Sequence, residues 1–337
     1  MYNLIKKTVC CPGVSGREKT ISAFIAGEIA PYADEIRNDA MGNLIALKKG
    51  CGKNDKKKIM LCAHMDEIGF MVTFIEKSGL LRIAPIGGIN FAAAAYTQVV
   101  FANGVKGVIV PDSGVKPADY TADKFGIDIG ASSGAEASRR VKIGDTCALV
   151  QTVTRLGKNR ITGRPLDDRV GCAVIIEIAK RLSEKAPKDD IYYVFAVQEE
   201  VGLRGSQTAG FAVAPDICLV YDVTGTGDTA GAAPMECALG KGAAVKYRDS
   251  SVICDQVLCD RLLSLAREKE IPAQIEILLY GGTDTASIQR AGSGCTAGAL
   301  SIPTRYIHSG VEMIDMRDVE SCVALTEAFI LTSDGKA

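Results

Sequence analysis

The chain has 337 residues, 39 Lys+Arg against 40 Asp+Glu, 47% hydrophobic and 23% charged residues. That length points to two domains or one large one, with enough chain to bury a sizeable core. A formal net charge of −1 without a basic stripe argues against a nucleic-acid or membrane-surface partner, and no apolar run reaches the roughly 18 residues of a membrane span.

The opening stretch, MYNLIKKTVCCPGVSGRE, lacks an apolar h-region. Twelve cysteines are scattered along the chain, with Cys10-Cys11 the one adjacent pair and no CxxC. Reduced, mostly buried thiols in a cytoplasmic protein are therefore expected, rather than disulfides or a zinc ribbon. Trp is absent, and there are two histidines, His64 and His308.

In chain order, 17–31 predicts an amphipathic helix ending before Pro31, and 43–48 a strand. The Lys-rich 51–58 reads as a solvated turn, and 59–63 as a buried strand with His64 at its end. From 67 to 163 the texture is short β-type runs (FMVTFI, LLRIA, TQVVF, GVIV, TCALVQTV) broken by Gly, Asp and Pro, with a helical patch near AEASRRV. This predicts a small β-barrel or sandwich.

After Gly163, helices and strands alternate. Helices are predicted over 167–184, 255–270 and 317–333, and strands over 191–197, 217–223 and 274–279. Such alternation indicates an α/β sheet with helices on both faces. Residues 1–66 and 164–337 would form one discontinuous domain, with 67–163 inserted into it.

Several motifs fall at ends of these strands. AHMDE (63–67) puts His64 where open α/β sheets place ligands, with Asp66 able to orient the ring. RPLDDRVG (164–171) puts Asp167 and Asp168 before a helix, as an N-cap or as a carboxylate able to bind two cations. VQEEVG (197–202) places Glu199 and Glu200 together after a buried strand, where bare burial is costly and a cation would relieve it; an exposed acidic turn is the plainer alternative. Asp222 lies inside the apolar run CLVYDV and needs a partner. GGTD (281–284) and RYIHSG (305–310) complete the set, the former also compatible with an ordinary turn. Two histidines with three or more carboxylates at one sheet edge suit two zinc, cobalt or manganese ions.

In this order, AHMDE, RPLDDRVGC, VQEEVGLRG, YDVTG, GGTD and RYIHS resemble the tetrahedral (TET) aminopeptidases, which include glutamyl aminopeptidases and relatives once described as endoglucanases. GVSGRE (13–18) resembles their N-terminal motif, and the likeness spans about residues 5 to 333. The resemblance implies a di-metal α/β/α peptidase domain with an inserted PDZ-like or barrel-like dimerisation domain. It implies that His64 and Asp222 bind one metal, Glu200 and His308 the other, and that Asp167 bridges both beside a cis peptide to Asp168. Glu199 would be the general base and Asp66 would orient His64. Peptides with a free N-terminus would be the substrates, and a homododecamer built from dimers the assembly.

Three other readings compete. A glycoside hydrolase needs two facing carboxylates roughly 5–10 Å apart, which leaves the histidines unexplained, and 6% aromatics without Trp is poor for stacking on sugars. A di-metal deacylase or carboxypeptidase would use the same ligands. A non-catalytic scaffold would be expected to have lost some of them. Regular strand geometry also sets a difficulty: Glu199 and Glu200 face the same site only if the strand has already ended.

Overall fold

The fold grows from an alternation visible in three central strands of the computed structural model, which describes residues 1–332. In β3 (Lys58–His64), Ile59, Leu61 and Ala63 enter one hydrophobic core while Met60 and Cys62 enter another. The other two, which follow in the large sheet, behave the same way. Their apolar runs are continuous because both faces are covered, as parallel strands require.

The large sheet begins with β1 (Glu35–Asn38) and β2 (Leu44–Lys48). A closed barrel intervenes, made of β4 (Gly69–Ile75), β5 (Leu81–Ile86), β6 (Gln98–Phe101), β7 (Lys106–Pro111), β8 (Phe125–Asp128) and β9 (Thr146–Leu149). The large sheet resumes with β10 (Thr152–Leu156), β11 (Arg160–Arg164), β12 (Asp190–Ala196) and β13 (Ile217–Thr224). It ends with β14 (Ala243–Arg248), β15 (Ala273–Ile277), β16 (Thr296–Arg305) and β17 (Glu312–Asp315). Its spatial order is β1-β2-β12-β3-β13-β16-β17-β11-β10, with β14 and β15 branching from β16. The central strands β12, β3, β13 and β16 are mutually parallel, so their C-terminal ends share one edge.

Helices cover both faces. Tyr2–Val9, Lys19–Ile29, Arg169–Ser183, Gln256–Glu268 and Met316–Thr332 pack on one side, through residues such as Ile5, Ile25, Ile175, Leu262 and Val323. Arg204–Val213 and Thr285–Gln289 pack on the other, through Ala209, Val213 and Ile288. Each fully buried aliphatic side chain contributes about 1.5–3 kcal/mol. The architecture is thus a three-layer α/β/α domain carrying a small inserted barrel.

Most predicted helices appear within two or three residues of their expected ends; the last residue of the expected 317–333 helix, Ser333, lies outside the described residues. Several short helices escaped the sequence reading, among them Tyr2–Val9, Phe91–Ala94, Arg204–Val213 and Thr285–Gln289. Tyr2–Val9 buries only Ile5, Thr8 and Val9. Arg204–Val213 presents the small residues Gly205, Ser206, Ala209 and Gly210, so no long apolar stripe marks it. A Cβ at Gly205 would lie 2.3 Å from Asn43 Oδ1, which is why this helix can seat so close to the sheet.

The run TCALVQTV proves to be two strands in different sheets: β9 closes the barrel, while β10 pairs with β11, which pairs with β17 of the large sheet. Sequence texture carries the insert to residue 163, whereas the barrel strands stop at Leu149. Strand texture alone carries no record of which sheet a strand joins.

Candidate active site

The alternation in β3 and β13 explains why His64 and Asp222 meet. Along β3, even-numbered residues Met60 and Cys62 face the layer of helix Arg204–Val213, and along β13 so do Cys218 and Val220. His64 and Asp222 continue these two series at the sheet edge. Val220 pairs with Cys62, so two residues later the side chains stand side by side. The His64 Nε2 to Asp222 Oδ1 distance is 3.9 Å.

The glutamate pair follows β12, which ends at Ala196. Gln198 adopts φ 57°, so the chain has left the strand before Glu199. This removes the alternation difficulty: both glutamates can turn to the crevice. Asp66 holds the turn, its carboxylate accepting from the Glu199 N–H at 2.9 Å and the Glu200 N–H at 3.2 Å. It also accepts from Ser15 Oγ at 2.6 Å, and lies 3.4 Å from His64 Nδ1, leaving Nε2 for the crevice.

Asp167 sits at the centre, on a peptide to Asp168 that is cis. Its Oδ1 lies 3.1 Å from His64 Nε2 and its Oδ2 lies 3.2 Å from His308 Nε2. His308 Nε2 is also 3.2 Å from Glu200 Oε2. The neighbouring Asp168 does what an N-cap does, accepting from the Gly171 N–H at 3.0 Å. Of the two adjacent aspartates, Asp168 thus caps the helix while Asp167 faces both imidazoles.

Two groups with metal-ligand geometry result, His64/Asp167/Asp222 and Asp167/Glu200/His308, in each of which the donor atoms lie within 4.8 Å of one another. Asp167 belongs to both, one oxygen toward each imidazole. Among the described residues, no Lys or Arg forms an ion pair with Asp167, Glu199, Glu200 or Asp222, whose only ion-pair partners are the two histidines. Four carboxylates crowded on two imidazoles, with nitrogen and oxygen donors only, fit two borderline divalent cations.

The metal-free electrostatics show the same crowding. Burial pushes the Glu199 carboxyl well above its ordinary value; His64 opposes this while Asp222, Asp284 and Glu200 add to it. Burial and then Asp167 raise Glu200. Burial alone would raise Asp167, but hydrogen bonds from His308 and His64 hold it below the usual carboxylate range. Burial would lower His308, yet Asp167 and Glu200 push it up to about 11.

Sequence reasoning missed Glu312. Its Oε2 accepts from the Leu166 and Asp167 N–H groups at 2.6 and 3.1 Å, and its Oε1 from the His308 N–H at 3.1 Å. One fully buried carboxylate therefore ties together the backbones of Asp167 and His308. Its only signal was a charge opening the apolar strand EMID. Also missed was Gly88, just past β5. His308 Nδ1–H donates to its carbonyl at 2.8 Å, aiming Nε2 at the carboxylates. A Cβ at Gly88 would lie 3.0 Å from that ring nitrogen. The inserted barrel thus reaches the site through backbone alone.

The GGTD segment has structural reasons of its own. Gly281 has φ 70°, and a Cβ on Gly282 would approach Ser251 Oγ to 2.8 Å. Asp284 is buried beneath the site and accepts from Ser206 Oγ. Burial raises its carboxyl to about 6.

The family model described as M42 glutamyl aminopeptidase matches residues 42–325. The chain belongs to the M42 glutamyl aminopeptidase family. It is 44% identical to a putative aminopeptidase of Acetivibrio thermocellus over 326 residues, covering 96% of this chain and 97% of the relative. It is 35% identical to the lysyl aminopeptidase of Pyrococcus furiosus, covering 98% and 96%. Among solved structures it superposes on the TET1 peptidase of Pyrococcus horikoshii with TM-score 0.87, at 33% identity, covering 98% of this chain and 99% of that one; that protein can assemble into a tetrahedron or a large octahedral shell. This M42 chain is a metal-dependent aminopeptidase, a hydrolase. No described helix is long and apolar enough to cross a membrane. Family membership, with imidazoles among the carboxylates, sets aside the glycoside-hydrolase reading.

Proposed function

We propose that the chain removes N-terminal residues from peptides using two divalent metals, with Glu199 as general base. His64 and Asp222 would hold one metal, Glu200 and His308 the other, and Asp167 both. The observation that carries this reading is the single carboxylate facing both imidazoles, Oδ1 to His64 and Oδ2 to His308. When bound, the metals would lower the pKa of water and polarise the scissile carbonyl.

The chain's own residues supply the rest. Glu199 lies at the crevice, its Oε2 4.0 Å from His64 Nε2. It takes the proton of the attacking water and returns it to the leaving amine. Asp66 keeps the Glu199 backbone and the His64 ring in place. The nitrogen and oxygen donor set is compatible with zinc, cobalt or manganese.

We extend the reading to assembly and location. The family likeness and the shell-forming relative support a homododecamer built from dimers, the barrel serving as the dimerisation unit. The cysteines, all free among the described residues, support a cytoplasmic location.

The test is Glu199→Gln. With free-amine peptides, kcat should fall about 10²–10⁴-fold while bound metal stays unchanged by elemental analysis. Hydrolysis at the wild-type rate would remove Glu199 from its role. N-blocked peptides should go uncut by the wild type; their cleavage would favour a deacylase or carboxypeptidase instead.

A further inference from the structure

A cavity of about 540 Å³ opens directly from the metal-ligand groups, and its far wall says what it can hold. That size lies within the ordinary range of small-molecule sites. Beyond Asp167, Glu199, Glu200, Asp222 and His308, every lining residue is uncharged. Leu203, Val223, Leu278 and Ile307 supply apolar surface, and the solvent-exposed Tyr280 stands beside Gly281. The two remaining polar side chains are Thr224 and Thr283.

Both threonine hydroxyls are committed behind the wall. Thr224 Oγ1 donates to Glu276 at 2.8 Å, and Thr283 Oγ1 donates to Asp249 at 3.3 Å. Neither carboxylate lines the cavity. Lys246, fully buried, pairs with Glu276 and lies 3.6 Å from Asp249. Asp249 further accepts from the Ser251 N–H, the Ser251 hydroxyl and the Val252 N–H. Glu276 and Asp249 are thus countered by an internal cation and hydrogen bonds, on the far side of the threonines.

From this we infer that the cavity receives the side chain of the substrate's first residue, and that it selects an uncharged, apolar side chain over an acidic or a basic one. The inference rests on the aminopeptidase reading and deepens it. An acidic side chain would find no Lys or Arg on the wall, and a basic one no free carboxylate beyond the metal groups. Burying either charge without a partner is unfavourable, whereas Leu or Met gains the apolar contact. The wall therefore differs in chemistry from what the names of its glutamyl and lysyl relatives would suggest. Leu278, half-buried and just beyond β15, is the residue on which the choice turns.

The test compares aminoacyl p-nitroanilides on the metal-loaded protein. kcat/KM for Leu and Met should exceed that for Glu and Lys by at least about 100-fold. Equal or greater rates with Glu or Lys would overturn the inference while leaving the aminopeptidase reading intact. Calorimetric titration with free leucine, lysine and glutamate reads the same cavity even if no substrate is cut: leucine should bind most tightly, and tighter binding of either charged amino acid overturns the proposal. Two reciprocal variants locate the wall. Leu278→Lys should raise the Glu/Leu ratio at least about tenfold, and Leu278→Glu the Lys/Leu ratio by as much. Unchanged ratios in both would place the side chain elsewhere.

Discussion

The two metal-ligand groups share Asp167 yet are built in opposite ways. The His64/Asp222 side rests on neighbouring parallel strands, and the His64 side chain is 2% exposed. The Glu200/His308 side rests on turns: Gln198, Tyr306 and His308 all have positive φ, and the His308 side chain is 31% exposed. In the first group, strand register brings His64 and Asp222 side by side, with Asp66 behind the His64 ring. The second depends on hydrogen bonds brought from distant parts of the chain, by Asp66, Glu312 and Gly88. A ligand set can therefore have one half that follows from β-sheet periodicity and another that exists only through tertiary contacts.

The largest expected effect tests the shared element. Asp167→Ala should abolish both metal binding and peptide hydrolysis, bringing the metal content measured by elemental analysis from about two ions per chain to near zero. Retention of two ions would break the bridging assignment. Next, His308→Ala should lose activity but keep the metal of the strand-built group, so that about one ion per chain remains. Loss of both ions would mean the two halves are not separable.

Glu312→Ala sharpens the contrast without removing a candidate ligand side chain. Removing a partner that orients ligands typically weakens metal affinity 10–100-fold. The loss should fall on the weaker of two resolved binding steps in a calorimetric metal titration and leave the tighter step unchanged. Equal weakening of both steps would show that Glu312 supports the whole site rather than its turn-built half. The smallest effect is on stability. Chelation should lower the thermal midpoint by ~5 °C, since an ion present at 100 times its Kd stabilises by about 2.7 kcal/mol. A midpoint unmoved by chelation would argue against metal binding in the folded state.

Legibility in the sequence followed the same division. His64 and Asp222 were readable because a charged or polar residue ending an apolar run has few places to go in a two-sided sheet. Glu199 and Glu200 were readable as residue types, but their shared orientation was not, since it depends on the left-handed Gln198. Local spacing did not separate Asp167 from Asp168, and only the family resemblance pointed to Asp167; the structure turns Asp167 toward both imidazoles and Asp168 to the Gly171 N–H. Glu312 was invisible because, besides the nearby His308 N–H, its partners Asp167 and Leu166 lie 145 and 146 residues away.

By itself, the sequence determined the layers, the strand ends that carry the candidate ligands and the order of motifs along the chain. Local periodicity records burial on one or two faces, so these features needed no knowledge of distant partners. Only the tertiary structure decided that β10 leaves the barrel for the large sheet, that Glu312 and Gly88 fix His308, and that the wall beyond the metals is neutral. Each of these depends on which segments meet, and a neutral wall depends on where Lys246, Glu276 and Asp249 are placed behind it.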